Sequence, residues 1–435
     1  MNDQRHAHTK AMRKRREQLL GKAYHLFYDD PVHIVRGEGV FLYDADGKKY
    51  LDVYNNVPHV GHCHPHVARA VSEQLQTLNT HTRYLHETVL DYAEKLTARF
   101  PDGLDITMFA CTGTEANELA MRLARAKTGA TGMIVTDHAY HGNSWAVSQI
   151  TTAEHSREKR GDNIATVPAP DTYRGLYADD SQAAEKYAEH VYAAIDTLAL
   201  NGHRPAAFIV DTVFTNEGLP TVPATYLAKA VEIVHQAGGL FVADEVQPGF
   251  GRLGTHFWGF ESHGVIPDIA TLGKPMGNGY PVSAVVTTTE IIEVFQQDDH
   301  YFNTFGGTPV ASAAALAVLE VIEQEDLQTN ARKTGDYLLH GLQQLKDTYE
   351  IVGDVRGSGL FIGIDLVRDR DTREPATNQA HKVVNLLKDR GVLIGSTGRY
   401  DNVLKIRPPM VFSTENADML LQRLDEVLKE NLGSA

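Results

Sequence analysis

Three short segments of the chain carry side chains that could do chemistry together. The first, Cys111-Thr112-Gly113-Thr114-Glu115, runs from an apolar stretch through a glycine turn into a helical pattern over 116–127. Small hydroxyl residues around a glycine at a helix start present backbone N–H groups to an anion, and the helix dipole adds to the attraction. Thr112 or Thr114 would serve equally well as an ordinary N-cap. The second segment places Asp244, Glu245 and Gln247 at the end of the run 239–246. That run is too apolar for a sheet edge, so a carboxylate buried there needs a cation beside it. The third sets Lys274 between Gly273 and Pro275, at the end of the run 269–272. A lone loop lysine is ordinarily solvated. Asp244 by itself would also admit a metal, although no His or further carboxylate follows at ligand spacing. Jointly, the three parts meet the needs of pyridoxal 5′-phosphate (PLP). These are an amine to form a Schiff base, a carboxylate for the protonated pyridine nitrogen, and a helix N-terminus for the phosphate. Tyr140-His141-Gly142, after another apolar run, offers an aromatic face for the ring; a core tyrosine is the alternative reading.

The elements that must hold these residues are legible as bounded apolar runs at 106–110, 132–136, 206–213, 239–246 and 269–272, mostly separated by helical stretches. Short buried strands alternating with helices predict an α/β fold with a mostly parallel central sheet covered on both faces. Ligands of such sheets bind beyond the carboxyl ends of the strands, where the three segments lie. From about residue 325 the pattern changes to a helix over 330–346, glycine-rich strands over 355–367 and another helix. That segment predicts a smaller α+β domain, joined by an N-terminal hairpin around Asp46-Gly47. The expected division is 1–70, 71–324 and 325–435.

Two motifs invite other chemistry. Gly249-Phe250-Gly251-Arg252-Leu253-Gly254 matches a dinucleotide-binding pattern after a strand, but no helix start follows, so a glycine-rich turn is the better reading. Gly61-His62-Cys63-His64-Pro65-His66 crowds soft ligands beside a proline, where zinc sites use separated pairs; no metal is expected. The chain has 435 residues and a formal net charge of −15. An acidic total argues against nucleic-acid or anionic-membrane partners. Arg5, Lys10, Arg13, Lys14, Arg15 and Arg16 read as a solvated terminal helix. No run of about 18 apolar residues occurs, so no membrane span or secretory signal is expected. The two cysteines, Cys63 and Cys111, cannot build a disulfide framework, which leads us to expect a cytoplasmic location.

Over essentially its whole length the chain resembles the class III (subgroup II) aminotransferases of PLP fold type I. The matching residues are Ala243-Asp244-Glu245-Val246-Gln247-x-Gly249-Phe250-Gly251-Arg252 and Gly273-Lys274-Pro275-Met276-Gly277-Asn278-Gly279. The resemblance implies a large PLP-binding domain, a smaller α+β domain, and Lys274 as the Schiff-base lysine. Asp244 would partner the pyridinium nitrogen, Gln247 would lie near the ring hydroxyl, Tyr140 would stack on the ring, and His141 would belong to the cofactor-binding set. Thr112, Gly113 and Thr114 would bind the phosphate, although the family usually has Asn-Ser-Gly-Ser-Glu where this chain has Cys111-Thr-Gly-Thr-Glu. Thr304, in Phe302-Asn-Thr-Phe-Gly-Gly307, would reach the phosphate of a neighbouring subunit. A homodimer with a shared active site follows, with pairing into tetramers left open.

Asn55-Asn56-Val57-Pro-His-Val-Gly-His-Cys-His-Pro65, Pro170–Gly175, Phe361–Leu366 and Val403–Met410 are similar to a narrower branch, the ethanolamine-phosphate and phosphohydroxylysine phospho-lyases. Arg83 matches an arginine expected to bind the substrate phosphate, and Asn55 and Trp145 would line the same pocket. Arg407 departs from the vertebrate ethanolamine-phosphate enzyme, which has lysine there. A C-terminal arginine binds substrate carboxylate in aminotransferases, so Arg407 keeps transamination open. The expected function is thus phosphate elimination from a phosphorylated amino alcohol, the alternative a transaminase using a keto acid such as pyruvate. Elimination of water from a hydroxylated aminophosphonate is a related option. A catalytically idle PLP-fold protein would have lost Lys274 or Asp244, and both are present.

Overall fold

The computed structural model describes residues 2–153 and 160–432, and no side chains before His8 or after Glu430. Met1, 154–159 and 433–435, and with them the outer ends of the segments expected at 1–70 and 325–435, lie outside the described residues, as does the side chain of Arg5. The chain opens with helix α1 (Asn2–Leu20), as the basic arm suggested. Strand β1 (Ile34–Glu38) leads to the hairpin of β2 (Phe41–Asp44) and β3 (Lys49–Asp52), which turns at Asp46-Gly47. Gly47 takes a φ of 81° there, a conformation glycine adopts without strain. Helices α2 (Pro65–Thr77) and α3 (Glu87–Thr97) follow and pack on the helix Pro309–Gln324.

The central sheet is built from β4 (Ile106–Ala110), β5 (Gly132–Thr136), β6 (Ile164–Val167), β7 (Pro205–Asp211), β8 (Leu240–Asp244), β9 (Ile269–Leu272) and β10 (Ser283–Thr287). Its order is β4-β10-β9-β8-β7-β5-β6. Pairings along β9-β8-β7-β5-β6 are parallel, and β10 runs antiparallel to both of its neighbours. Every residue of β5, β7, β9 and β10 is buried. Strands covered on both faces have no solvent side to encode, which is why they read as continuous apolar runs. The runs expected at 106–110, 132–136 and 269–272 match their strands. Those expected at 206–213 and 239–246 are shorter strands, because Asp211 and Asp244 already turn their carboxylates into local hydrogen bonds with the backbone N–H groups of Val213, Thr215 and Val246.

The C-terminal part carries β11 (Val352–Ser358), β12 (Phe361–Asp369), β13 (Glu374–Pro375), β14 (Val392–Leu393), β15 (Gly395–Thr397) and β16 (Val403–Ile406). Its antiparallel sheet has the order β11-β12-β16-β15, with β13 pairing β12, and helix Leu327–Thr348 packs against it. Strand β14 pairs in parallel with β3, Val392 beside Leu51, so the N-terminal hairpin is carried by the C-terminal segment. The glycine-rich stretch 249–254 is a turn. Its Gly254 has a φ of 76°, and a Cβ there would lie 2.6 Å from the Arg332 backbone. The turn aims the fully buried Arg252 at the Leu360 and Pro408 carbonyls (3.1 and 2.7 Å) and at His59 Nδ1 (3.1 Å), a clamp between chain segments rather than a nucleotide site.

Candidate active site

Five strand ends converge on one cavity of about 340 Å³. Helix α4 (Gly113–Thr128) begins three residues earlier than its apolar pattern suggested, because Thr112 caps it. Thr112 Oγ1 accepts from the Glu115 N–H (3.2 Å), while the Glu115 carboxylate accepts from the Cys111 and Thr112 N–H groups (2.8 and 3.0 Å). This capping box uses those donors and leaves the N–H groups of Gly113 and Thr114 without an acceptor among the described residues. Both residues line the cavity. Gly142, with a φ of 143°, lies so close that a Cβ would come within 2.5 Å of Thr114 Oγ1.

Asp244 ends β8 in parallel register with Asp211 at the end of β7. Its Oδ2 accepts from Asn117 Nδ2 (2.9 Å) and from His141 Nδ1 (2.7 Å). Asn117 also donates to the His141 carbonyl (2.8 Å) and accepts from Thr271 Oγ1 (2.7 Å). The carboxylate is thus held from α4, from the loop after β5 and, through Asn117, from β9. Glu245 faces away: it accepts from Thr212 Oγ1 (2.8 Å) and the Gly259 and Phe260 N–H groups (2.7 and 2.9 Å), and burial pushes it up to about 7. Of the two acids flagged in the sequence, one lines the cavity and the other braces a turn.

Lys274 follows β9 and lines the same cavity. Burial, then the nearby Arg407 charge, push its amine down to about 8, against the pull of Asp244 and Asp211. Asp211 is itself pushed up by burial and by the Asp244 charge. Tyr140, His141 and Gln247 complete the walls. Arg407 is buried, donates to Gln247 Oε1, and holds its guanidinium carbon 4.6 Å from the Tyr54 ring centroid.

The remaining expected residues sit elsewhere in the chain. Arg83 is exposed, its guanidinium carbon 4.0 Å from the centroid of the Phe302 ring, two residues before the exposed Thr304, and it is not part of the cavity wall. Asn55 spends its amide on Asp52 Oδ2 (2.9 Å) in a local turn. Trp145 opens α5 (Trp145–Ile150) with 74% of its surface exposed, outside the cavity lining. His62, His64 and His66 diverge to three separate acids, Asp52, Glu325 and Glu320, so the crowded stretch does not converge on one point. Sequence reasoning missed Asn117, Asp211 and Tyr280. Asp211 carried the same signal as Asp244, an acid at the end of a buried strand; Asn117 was a single polar residue on the apolar face of α4.

An amine, an acceptor-only carboxylate and a helix N-terminus with two unclaimed N–H groups surround one cavity. These features fit PLP, and the fold and site together define a PLP-dependent enzyme. The family described as Aminotransferase class-III matches residues 26–428, and the chain belongs to it. A Drosophila melanogaster relative named alanine–glyoxylate aminotransferase 2-like is 45% identical over 97% of this chain and 88% of its own length. A Caenorhabditis elegans relative named ethanolamine-phosphate phospho-lyase homolog 1 is 38% identical over 95% of this chain and 92% of its own. Among solved structures, a phospholyase from Arthrobacter in complex with phosphoethanolamine superposes with a TM-score of 0.94. It is 44% identical and covers 96% of this chain and 99% of its own.

Proposed function

We propose that this chain is a PLP-dependent phospho-lyase that removes phosphate from a phosphorylated amino alcohol such as O-phosphoethanolamine, giving an aldehyde, ammonia and phosphate. The observation that carries this reading is the likeness to the Arthrobacter phospholyase, which spans nearly the whole of both chains. PLP supplies an electron sink for the carbon that bears the substrate amine. Gly113 and Thr114 would hold the cofactor phosphate with their N–H groups, and Tyr140 and Gln247, which line the same cavity, would contact its ring. Asp244 would favour a proton on the cofactor's ring nitrogen, since a negative charge beside it favours the charged form. Asn117 and His141 fix the angle of that carboxylate. Lys274 would hold the cofactor and would serve as the base that takes the proton from the substrate carbon bearing nitrogen. An amine near 8 is suited to that task at neutral pH. Phosphate on the next carbon departs with its bonding electrons, and water then converts the product to aldehyde and ammonia. Thr304 completes the phosphate site of a second subunit in a homodimer, and Arg407 binds the anionic end of the substrate.

Transamination is the second reading, favoured by the Drosophila relative's name and by Arg407, whose fork also matches a carboxylate. To separate them, the PLP-loaded protein is mixed with O-phosphoethanolamine and no keto acid. Sustained, equimolar release of phosphate, ammonia and acetaldehyde is expected. A single turnover that stalls until pyruvate is added would make the protein a transaminase.

A further inference from the structure

The parallel register of β7 and β8 sets a second acid beside the one already assigned a task. Asp211 stands opposite Asp244 at the ends of the two strands. Neighbouring strands lie about 4.8 Å apart, and residues in register point to the same face, so the two carboxyl groups share one side of the sheet. Both line the cavity, and only 5% of Asp211 and 4% of Asp244 are exposed. Two buried carboxyl groups this close resist ionising together, and such pairs keep a proton between them.

The surroundings decide which of the two carries it. Asp244 accepts from three groups, Asn117 Nδ2, His141 Nδ1 and the Val246 N–H (2.9, 2.7 and 3.1 Å). Asp211 accepts only from the backbone N–H groups of its own turn, Val213 and Thr215 (3.1 and 3.3 Å), and among the described residues no ion pair reaches it. More and shorter bonds from donors favour the charged form of a carboxylate, so the negative charge settles on Asp244. Burial, then the Asp244 charge, raise Asp211; its bonds from the turn and the nearness of His141 pull the other way. Once ionised, Asp211 acts on Glu217 of its own turn, on Lys274 after β9, on Lys405 in β16 and on Arg407 just beyond that strand.

We propose that Asp211 and Asp244 form an acid pair that holds one proton, carried by Asp211, and that this proton spares the Lys274 amine a second negative charge. Asp211 is then a positioning residue. It acts on the cofactor through Lys274 and through Asp244, which stays the single anion of the pair. Its own pull on the lysine sets in only as rising pH removes the proton. The assignment requires that the site take PLP, and it is the same for a lyase and for a transaminase.

The test compares the parent with its Asp211→Asn variant, Asp211→Ser standing in if asparagine prevents folding. At about pH 5.5 an ordinary aspartate is ionised. Infrared difference spectra of the PLP-loaded proteins at that pH are expected to show the carbonyl band of one protonated carboxyl group that the variant lacks. In Asp244→Asn the band should fade at a pH lower by about a unit or more, because the neighbouring charge is gone. Uptake of PLP by the cofactor-free proteins is then followed by absorbance at the same pH. Asp211→Asn is expected to stay within about twofold of the parent rate, since asparagine copies a neutral acid. An ionised Asp211 would instead be holding the Lys274 amine up, and its removal would speed uptake about tenfold for each unit released. That acceleration, or a difference spectrum with a carboxylate band in place of the protonated one, would overturn the assignment.

Discussion

The state of the Lys274 amine determines whether the site can take up its cofactor, and the structure assigns part of that state to Arg407. Burial is the larger cause of the fall to about 8, and the Arg407 charge is the next. At pH 7 an amine titrating near 8 is about 9% neutral, whereas one at the ordinary 10.5 is about 0.03% neutral, a difference of roughly 300-fold in the nucleophilic form. Replacing Arg407 by Met keeps the position filled and removes the charge, leaving Asp244 and Asp211 to draw the amine upward. One adjacent charge moves a pKa by about 1–3 units. Taking the lower bound, the neutral fraction at pH 7 falls to about 1%, and covalent uptake of PLP slows roughly tenfold. The assay adds PLP to the cofactor-free protein from pH 6 to 10 and follows the absorbance change. The parent rate should bend near pH 8, the Arg407→Met rate about a unit higher, and the two should meet on the alkaline plateau. Arg407→Lys, which keeps a positive charge, should bend close to the parent. A methionine variant that bends at the parent pH, or below it, would refute the electrostatic link between the two residues.

Asn117→Ala removes the donor that Asp244 shares with the His141 carbonyl and leaves that carbonyl and the Thr271 hydroxyl buried without their partner. At about 1–3 kcal/mol for each orphaned group, the loss is about 2–6 kcal/mol; a cofactor-free protein that melts at the parent temperature would contradict it. Burial, followed by the Asp211 charge, pushes Glu217 up to about 8, and its Oε2 lacks a partner. Between about pH 4.5 and 8 the folded chain therefore holds a proton that the unfolded chain has lost, so this residue lowers stability as pH rises. Glu217→Gln should gain in melting temperature over the parent as pH goes from 5 to 8, by a few degrees, and parallel curves would count against it. Gly142→Ala puts a Cβ 2.5 Å from Thr114 Oγ1 at a φ of 143°. Strain of about 1–3 kcal/mol should weaken cofactor retention by roughly 5- to 150-fold in equilibrium dialysis, and full retention would mean the loop moves freely.

The parts of the site that could be read from the sequence share one property: each lies where a buried strand gives way to polar residues. Lys274 after β9, Asp244 at the end of β8 and Tyr140 beyond β5 all announce themselves this way, because a fully covered parallel strand tolerates polar groups only where its ligands gather. The helix cup was equally local, being written into Thr112-Gly113-Thr114-Glu115. What could not be read depends on pairing across the chain. Arg407 meets Gln247 from 160 residues away, and Asn117 meets Asp244 from 127. Neither separation leaves a trace in local periodicity, since an asparagine on a helix and an arginine after a strand are ordinarily solvated. Asn55 is a different case. Its amide looked available to a ligand, but an Asx residue near the start of a turn satisfies itself on the nearest backbone or carboxylate, and here Asp52 was three residues away. Trp145 was placed in the pocket by the branch resemblance, and at the first position of α5 it is exposed. Arg407 was named from the family resemblance and Lys405 was not, and both are buried. In the sequence alone a Lys-x-Arg pair reads as a solvated strand edge, and only the closed fold shows it to be interior.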